Sequence, residues 1–386
     1  MTINNEHKKL NVPNLRFKEF QGEWEKSKLS DLCTFFSGGT PSSSNKDFYG
    51  GDIAFIRSGE LHADSTELFI TQDGYDNSSA KMVEIGDLLL AMYGATSGDI
   101  SISKIKGAIN QAILCIRTNQ NKKFIESVWN KHVSKILRKY LQGGQGNLSA
   151  DIVKGISFSF PTLEEQEKIA NLISLLDERI ATQNKIIDKL QSLIKGIVDC
   201  TILRKGKNAI VGDVCSISEQ IRAEANIDDI ITVRLHGNGV CKSSAENLQL
   251  GATQYYRRRA GQLIYGKQNF HNGAIGIVPI SLDNGITSKD IPSFDIDEMK
   301  CNSVYLLAQL QSPQYYKPAE ALTTGTGSKR LKEETFLKMP IVLPNKREQD
   351  NIAVLIHRAS MNLDHAKRLL ELLSIQKQFL LRQMFI

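Results

Sequence analysis

The 386-residue chain is long enough for two or more domains, and its 41% hydrophobic content is sufficient for buried cores. The net charge of +6 is compatible with nucleic-acid binding but does not establish it, because many cytosolic proteins are mildly basic. Six scattered cysteines, without a CxxC pair, argue against a disulfide framework or a zinc site and favour a reducing cytoplasm. No apolar segment has the pattern of a signal peptide or a membrane span, so a cytoplasmic location without membrane contact is expected.

The first predicted domain, residues 23–160, contains β-branched runs broken by glycine and asparagine, a pattern typical of short strands and turns. Its most polar segment, FFSGGTPSSSNKDFYGGD (Phe35–Asp52), offers hydroxyls, backbone amides and a lysine, the groups that contact DNA phosphates. A helix is predicted over Lys122–Leu141. The candidate DNA contacts of this domain are Ser37, Thr40, Ser42, Lys46, Tyr49, Arg57, Gln142, Gln145 and Asn147.

A long helix is predicted next, over residues 161–206. Thr162 and Glu165 have the spacing of a capping box, and Pro161 precedes them, where a helix has not yet begun. A narrow heptad stripe follows, which favours a coiled coil over a helix that only covers its own domain. The apolar residues of this stripe are Ile169, Ile173, Leu176, Ile180, Ile187, Leu190 and Ile194.

The second predicted domain, residues 207–343, repeats landmarks of the first. GDLLLAMYG (Gly86–Gly94) is similar to GQLIYG (Gly261–Gly266), and each is followed by a glycine turn and an isoleucine-rich stretch. Arginine pairs with guanine, and asparagine or glutamine with adenine, in the major groove of DNA. On this basis the candidate DNA contacts of the second domain are Arg257, Arg258, Arg259, Lys267, Gln268, Asn269, His271, Asn272, Lys329 and Arg330.

Each polar loop taken alone is more simply interpreted as a solvated surface turn, and three adjacent arginines are often just an exposed face. The functional interpretation depends on the recurrence of such loops in both halves of the chain. Outside the shared landmarks the halves differ, so one scaffold would carry two different sets of loops. Such a frame suits a ligand with two different parts.

A second copy of the long helix, residues 344–386, follows the first at a distance of 183 residues. Asn345 and Glu348 repeat the capping spacing, and each helix is the natural partner of the other. A two-fold relation between the halves would make the pair antiparallel. The heptad stripe continues in register at Ile352, Ile356, Leu363, Leu370 and Leu373, and is eroded at Ala359, Ala366 and Lys377.

The predicted fold class is therefore α+β. Two similar mixed α/β domains are separated by two long helices, which pair as an antiparallel coiled coil in a pseudo-two-fold symmetric arrangement.

The sequence contains no recognisable catalytic or metal-binding motif. GQLIYGKQ (Gly261–Gln268) matches the start of a phosphate-binding loop, but Gln268 stands where a serine or threonine would hold Mg²⁺. The apolar residues also fall between the glycines rather than in a preceding strand. We therefore expect no catalytic residues, cofactor or metal in this chain.

The most specific segments of the chain are VPNLRFKEFQGEWEKSKLSDL (Val12–Leu32), SGGTPSSSNKDFYGGDIAFIRSGEL (Ser37–Leu61) and LSADIVKGISFSFPTLEEQEKIA (Leu148–Ala170). The last returns as FLKMPIVLPNKREQDNIA (Phe336–Ala353). With these segments the chain resembles, over nearly its whole length, the specificity subunits of bacterial type I restriction–modification systems. Residues 1–22 are similar to the leader that precedes the first domain in many members.

The resemblance implies two target recognition domains, each reading one half of a split site in double-stranded DNA. It implies that the paired helices act as a spacer between the half-sites. The subunit itself would be non-catalytic and would recruit two modification subunits, which use S-adenosylmethionine to methylate adenine N6. Restriction subunits, which use ATP and Mg²⁺, would complete the assembly that cleaves DNA. Recognition domains vary widely, so no base-contacting residue is carried over from the family.

Two alternatives from other functional classes remain open at this point. One is a coiled-coil scaffold protein that does not bind DNA. The other is a self-sufficient nuclease or NTPase, which the absence of catalytic motifs disfavours.

Overall fold

The structure is a computed structural model, which describes residues 11–140, 147–199, 207–243, 253–325 and 329–386. The chain divides into two compact units: unit 1 comprises Met1–Thr182 and Leu370–Ile386, and unit 2 comprises Gln183–Leu369. Each long helix contributes residues to both units. Within the described ranges, no helix combines the length and the apolar character that crossing a membrane requires.

Unit 1 is built mainly from short strands and one long helix of its own. Its helices are α1 (Leu29–Leu32), α2 (Gln72–Asp76), α3 (Lys122–Tyr140), α4 (Ala150–Lys154) and the first part of α5 (Leu163–Ile197). Its strands are β1 (Glu25–Lys28), β2 (Cys33–Ser37), β3 (Tyr49–Ile56), β4 (Phe69–Ile70), β5 (Lys81–Val83), β6 (Leu88–Ala91), β7 (Ile100–Ile102), β8 (Gly107–Ile109), β9 (Ile113–Thr118) and β10 (Ser157–Phe160).

Unit 2 has a similar composition of elements. Its strands are β11 (Lys207–Ile210), β12 (Cys215–Ile217), β13 (Arg222–Ala223), β14 (Ile231–Val233), β15 (Val240–Lys242), β16 (Tyr255–Arg257), β17 (Leu263–Tyr265), β18 (Ile275–Ile277), β19 (Ile286–Ser288), β20 (Ser293–Ile296) and β21 (Pro340–Leu343). Its helices are α6 (Ser303–Leu310), α7 (Pro313–Tyr316), α8 (Glu333–Leu337) and most of α9 (Lys346–Met384).

The sheets of the two units share their central topology. Unit 1 contains an antiparallel sheet of order β2-β9-β6-β7, and unit 2 contains one of order β12-β20-β17-β18. A two-stranded ladder, β1-β10 or β11-β21, precedes the long helix in each unit. The landmark segments Gly86–Gly94 and Gly261–Gly266 contain the corresponding strands β6 and β17, so the predicted internal repeat is confirmed.

The units differ in their remaining sheets. In unit 1 a sheet of order β4-β3-β8-β5 contains the parallel pair β3-β8, whereas unit 2 has a three-stranded sheet β13-β16-β19 and a β14-β15 pair. The predicted helix over Lys122–Leu141 is confirmed as α3. In unit 2 the corresponding segment YLLAQLQSPQYYK (Tyr305–Lys317), for which the sequence also indicates a helix, is divided between α6 and α7, because Pro313 lacks an amide hydrogen and begins a new helix.

The core of each unit contains a group of packed aromatic side chains. In unit 1, Phe124 of α3 packs on Trp24, Phe160 and Phe385 with ring centroids 5.2–5.9 Å apart. In unit 2, Tyr265, Phe270, Phe294 and Phe336 form an aromatic cluster, and all four are fully buried. Aromatic side chains bury large apolar areas, so these clusters account for much of the burial that stabilises each unit.

The predicted helix starts are confirmed at their caps. The Thr162 hydroxyl accepts from the Glu165 amide at 3.4 Å, and the Asn345 side chain accepts from the Glu348 amide at 3.0 Å. The predicted return contact of Glu165 to the cap is not formed. Its buried carboxylate instead accepts from Arg16 at 2.8 Å and from Trp24 at 3.3 Å, because these donors offer a stronger, charge-assisted pairing.

The two long helices run antiparallel within each unit. In unit 1, Lys377 Nζ of α9 lies 2.5 Å from the Asp177 carboxylate of α5, and the buried Ile173 belongs to the same core as Met384. In unit 2, Gln183 Nε2 donates to the Ala366 carbonyl at 3.0 Å, and Val198 shares a core with Ile352. Residues later in α5 therefore contact residues earlier in α9, which is the antiparallel pairing that the sequence predicts.

The heptad stripe is the inner face of these helices. Within it, Ile169, Ile173, Leu176, Ile352, Ile356 and Leu373 are buried. The remaining positions are half-buried, namely Ile180, Ile187, Leu190, Ile194, Leu363 and Leu370.

Candidate nucleic-acid interface

Four loops of unit 1 meet at one end of the β2-β9-β6-β7 sheet, and a fifth segment follows β3, which ends beside β8 through the parallel pair of Ile56 and Ile109. β2 and β6 end there, and β7 and β9 begin there, because neighbouring strands are antiparallel. Backbone hydrogen bonds tie the loops together: Gly39 to Ile109, Met92 to Ala112 and Leu148 to Met92, at 3.2, 2.8 and 2.8 Å. We name this surface, residues 38–48, 57–60, 92–99, 110–112 and 147–149, the unit 1 loop end.

Two glycines allow the polar loop after β2 to lie against the neighbouring strand. A Cβ at Gly38 would lie 1.7 Å from the Ile109 carbonyl oxygen, and one at Gly39 would lie 2.6 Å from Ser79 Cβ. Any other residue would push the loop away from the sheet. The SGG sequence therefore fixes where the following serines and lysine are presented.

Side chains of the same loop hold its conformation. The Thr40 hydroxyl donates to the Gln111 side-chain oxygen at 2.5 Å, and the Tyr49 hydroxyl donates to the Pro41 carbonyl at 2.7 Å. Tyr49 thus supports the loop from beneath, while Ser42 and Lys46 are exposed. Within the described part of the chain no ion pair is found for Lys46, so its ammonium group is available to an anion.

Arg57 lies at the same loop end but already has a partner. Its guanidinium binds the Glu60 carboxylate at 2.9 and 3.2 Å, and its side chain is 50% exposed. The hydrogen bond from Arg57 is the largest influence that lowers the pKa of Glu60, which also accepts from Thr66. Arg57 can reach DNA only by sharing this carboxylate, so its charge contributes less than that of Lys46.

One further predicted contact, Asn147, and two unpredicted residues belong to the unit 1 loop end, and the predicted contact Ser37 lies directly before it. Ser37 is exposed at the end of β2, and Asn147 is exposed beside Leu148. Gln142 and Gln145 lie outside the described residues. Tyr93 and Gln111, both exposed, were missed by the sequence analysis. Tyr93 lies inside the repeated landmark Gly86–Gly94, whereas Gln111 lies just before β9, outside the landmark.

Unit 2 has the equivalent surface at the same end of its β12-β20-β17-β18 sheet. The Lys267 amide donates to the Asp290 carbonyl at 2.9 Å, and the Leu331 amide donates to the Lys267 carbonyl at 2.8 Å. These bonds correspond to those of Met92 and Leu148 in unit 1. We name this surface, residues 218–221, 266–274, 289–292 and 329–331, the unit 2 loop end, with residues 326–328 outside the described part.

Most basic groups of the unit 2 loop end are paired with acids. Lys267, 16% exposed, binds Glu333 at 2.7 Å, Lys329 binds Glu320 at 3.2 Å, and Arg330 contacts Asp290 at 3.4 Å. The amide side chains are more accessible: Gln268 and Asn269 are exposed. The accessible groups on this surface are therefore mainly amides, which can contact bases directly, whereas its lysines are already paired with acids.

His271 and Asn272 shape the turn before β18. The Asn272 side chain donates to the Asn269 side-chain oxygen at 3.2 Å, and the Asn272 backbone carbonyl accepts from the His236 amide at 2.7 Å. His271 is half-buried, and its Nδ1 atom is buried without a hydrogen-bond partner among the described residues. Both residues therefore support the conformation of the loop that presents Gln268 and Asn269.

Within the arginine triplet, Arg259 is not brought together with the loop 266–274. Arg259 and Gly261 belong to the turn before β17, whereas the loop 266–274 follows β17, so the two lie at opposite ends of the strand. Arg257 and Arg259 are exposed. The prediction that Arg258 contacts DNA is wrong, because its side chain is fully buried and hydrogen-bonded inside unit 2.

The near match to a phosphate-binding loop does not form one. Leu263–Tyr265, between its two glycines, is strand β17 with both neighbours paired, and Lys267 is held by Glu333. Among the described residues there is no group of three or more His, Cys, Asp or Glu side chains arranged to hold a metal ion.

Comparison with known proteins shows what these features are similar to. Residues 21–192 match the model of the type I restriction modification DNA specificity domain. The chain is similar to the specificity subunit of the type I restriction enzyme MjaVIII from Methanocaldococcus jannaschii, with 21% identity over 87% of each chain. It is also similar to the EcoR124I/EcoR124II specificity subunit from Escherichia coli, with 26% identity over 42% of this chain and 43% of that one.

A solved structure shares the fold. The crystal structure of the S subunit of a type I restriction-modification system from M. genitalium superposes with a TM-score of 0.65 and 12% identity, covering 97% of this chain and 99% of that one. The domain match, the extended similarity to a specificity subunit and the shared fold agree with the repeated motifs of the sequence. Residues 21–192 therefore match a type I restriction modification DNA specificity domain, and most of the chain is similar to a specificity subunit of a type I restriction enzyme.

Proposed function

We propose that this chain recognises a split DNA sequence, and that the loop end of each unit reads one half-site. The observation that carries the proposal is the occurrence of one sheet topology twice, with different loops at the equivalent ends. A shared scaffold keeps the geometry of the two contacts similar, while the different loops allow two different sequences to be read.

The residues at the two loop ends have complementary chemistry for this task. In unit 1, Lys46 offers an unpaired cation for a phosphate, and Gln111 and Asn147 offer amides. In unit 2, Gln268 and Asn269 offer amides at the turn before β18. Amide side chains bind adenine through two hydrogen bonds in the major groove, so both half-sites are expected to contain adenine contacts.

The chain itself acts through partners in this proposal. It takes no cofactor and recruits two modification subunits, which bind S-adenosylmethionine and methylate adenine N6. Restriction subunits, which use ATP and Mg²⁺, join the complex for cleavage. The support is the match of residues 21–192 to the type I DNA specificity domain and the similarity of the chain to a specificity subunit.

We further propose that the paired helices set the distance between the half-sites. Their support is the antiparallel pairing seen inside each unit, through Asp177–Lys377 in unit 1 and Gln183–Ala366 in unit 2. A packed helix pair resists bending, so its length determines the number of base pairs that remain unread between the two contacts.

The test is a selection of bound duplexes from a random pool by the purified complex of this chain with its modification subunit. We expect the enriched sequences to share two defined halves around a gap of constant length. Enrichment of a single continuous motif would contradict the two-reader mechanism. A stable complex that enriches nothing would support the alternative of a scaffold that does not bind DNA.

A further inference from the structure

Arg258 is a buried cation that the proposed DNA contacts leave unexplained. It directly follows β16, its exposure is 0%, and it is among the largest fully buried side chains of the described residues. Fully buried arginines are rare unless they are paired with an acid. Among the described residues, none of the groups that its guanidinium contacts is a carboxylate.

The hydrogen bonds of Arg258 join three separate segments of unit 2. Nε donates to the Thr287 hydroxyl at 2.7 Å, Nη2 to the Ile291 carbonyl at 2.9 Å, and Nη1 to the Ser293 hydroxyl at 3.0 Å. A fourth contact, from Nη1 to the Gln220 side-chain oxygen, is longer at 3.4 Å. Burial lowers the pKa of Arg258 to about 10, so the guanidinium remains charged at neutral pH.

Two of these segments belong to the unit 2 loop end. Gln220 follows β12, and Ile291 precedes β20, which are the positions that Thr40 and Gln111 occupy in unit 1. The Gln220 side chain also donates to the Ser218 carbonyl at 2.8 Å, so both ends of its amide are held although the residue is exposed. Ser218 is in turn fixed to β20 through its amide, at 3.0 Å from the Ser293 carbonyl.

We propose that Arg258 is a positioning residue that orients Gln220 to read a base in the half-site bound by unit 2. Gln220 is absent from the candidates predicted from the sequence, and this inference rests on the proposed DNA recognition. An amide discriminates between bases only when its oxygen and nitrogen point in fixed directions. Arg258 binds the amide oxygen, and its unneutralised charge favours that orientation.

The charge has a second effect. A cation inside the low-dielectric interior is screened less by salt than one at the surface, and it raises the potential at the nearby loops. DNA binding by unit 2 is therefore supported by Arg258 without direct contact. This explains why the fold retains a charge that a neutral side chain of similar volume would replace at lower desolvation cost.

The experiment is a double-mutant cycle on the purified complex with the modification subunit. Arg258→Met, Gln220→Ala and the double variant are compared for binding to the selected duplex and to duplexes altered in one half-site. We expect each single variant to reduce discrimination at one base of the unit 2 half-site by about tenfold, and the double variant to lose no more than either alone. Discrimination in the other half-site stays unchanged, and Arg258→Lys restores part of the loss.

Two further variants separate positioning from general stability. Ser293→Asp places a buried carboxylate next to the Arg258 guanidinium. The carboxylate competes with Gln220 for Nη1 of Arg258 and should weaken that contact. This variant tests the proposal even if Arg258→Met does not fold. We expect Ser293→Asp to fold and to lose discrimination in the same half-site. Arg358→Ala is the control at an exposed arginine of α9 outside the loop end, and it should leave discrimination intact.

Independent, additive effects of Arg258→Met and Gln220→Ala, or equal losses in both half-sites, would overturn the inference. Full discrimination by a folded Ser293→Asp variant would also overturn it. A wild-type complex that selects no split sequence would instead contradict the proposed function, so the two failures are distinguishable.

Discussion

Gln166 and Gln349, 183 residues apart, make corresponding hydrogen bonds at the starts of α5 and α9. The side-chain oxygens accept from the Asn121 and Asn302 amides at 3.1 and 2.8 Å. Their nitrogens donate to the Pro161 and Pro344 carbonyls, both at 2.9 Å. Both residues are essentially unexposed. Each glutamine thus joins the start of its long helix to the residue directly before another helix of the same unit, α3 in unit 1 and α6 in unit 2.

Replacing either glutamine should destabilise its unit. Gln166→Ala or Gln349→Ala leaves buried backbone groups without partners, a loss of about 1–3 kcal/mol in the free energy of unfolding. Urea denaturation of the purified chain measures this loss. Gln191→Ala, at an exposed position of α5, is the matched control and should change stability by less than about 0.5 kcal/mol. Equal effects at Gln166 and Gln191 would contradict the structural role of the buried amide.

Asp177 gives the pairing of α5 and α9 a pH dependence. Burial raises the pKa of Asp177, but hydrogen bonds from Lys123 and Lys377 outweigh this effect and hold the pKa below its ordinary value. A carboxyl with a lowered folded-state pKa contributes stability above its unfolded-state pKa and loses it as the pH falls through the folded-state value. The contribution of Asp177 should therefore be constant near neutral pH and disappear below about pH 4.

The comparison of wild type with Asp177→Asn tests this expectation. The variant should be less stable at pH 7, because Lys123 and Lys377 lose the acid that they share, and the difference should shrink in acid. Thermal melting between pH 7 and pH 3 provides the measurement. A stability difference that does not depend on pH would show that the ion pairs do not contribute.

Lys46 should bind a phosphate rather than a base. Lys46→Ala is expected to weaken binding of all duplexes to a similar extent, and to reduce the slope of log K against log salt by about 1. Lys26→Ala is the control, because Lys26 is an exposed lysine on β1 outside the loop end. An unchanged salt slope for Lys46→Ala, or an equal change for the control, would remove Lys46 from the interface.

The amide side chains should act on separate half-sites. Gln111→Ala or Asn147→Ala should relax specificity in one half of the site, and Gln268→Ala or Asn269→Ala in the other, by about 1–3 kcal/mol per lost base contact. Competition binding with duplexes altered in one half measures each effect. If a variant of unit 1 and a variant of unit 2 relax specificity in the same half-site, the proposal that each unit reads a different half-site is wrong.

Helix length should control the unread gap. Seven residues inserted after Gln183 and after Ala366 keep the heptad register and lengthen the pair by about 10 Å, equivalent to about three base pairs. The selected duplex should then have a longer gap with unchanged halves. Insertion of the same seven residues into one helix alone is the control, and it should disrupt the pairing. A constant gap in the doubly extended variant would contradict the spacer role.

The repeated architecture was predictable because its signals are local. Capping residues, the heptad stripe and the isoleucine-rich landmarks depend on neighbours in sequence, and each corresponds to an observed element. Glu165 shows the limit of such signals. Its spacing to Thr162 indicates a capping box, but tertiary donors, Arg16 and Trp24, bind the carboxylate instead. Local patterns do not reveal which distant donors compete for a side chain.

The candidate site was less predictable for the same physical reason. Arg257, Arg258 and Arg259 are identical in type, yet only the middle one is buried, because side chains alternate between the two faces of the backbone next to β16. Gln111 and Gln220 were missed because only the sheet register brings them to the loop ends. Tyr49 was predicted as part of the polar loop, but it begins β3, and its hydroxyl donates to the Pro41 carbonyl of that loop.

The central claim is that this chain directs modification to a two-part DNA sequence. Its most direct test is to co-express the chain with its modification subunit and to map N6-methyladenine across the host genome. The account predicts new methylation confined to one motif, with two defined halves separated by a gap of fixed length. A stable complex that adds no methylation, or methylation of a continuous motif, would contradict it.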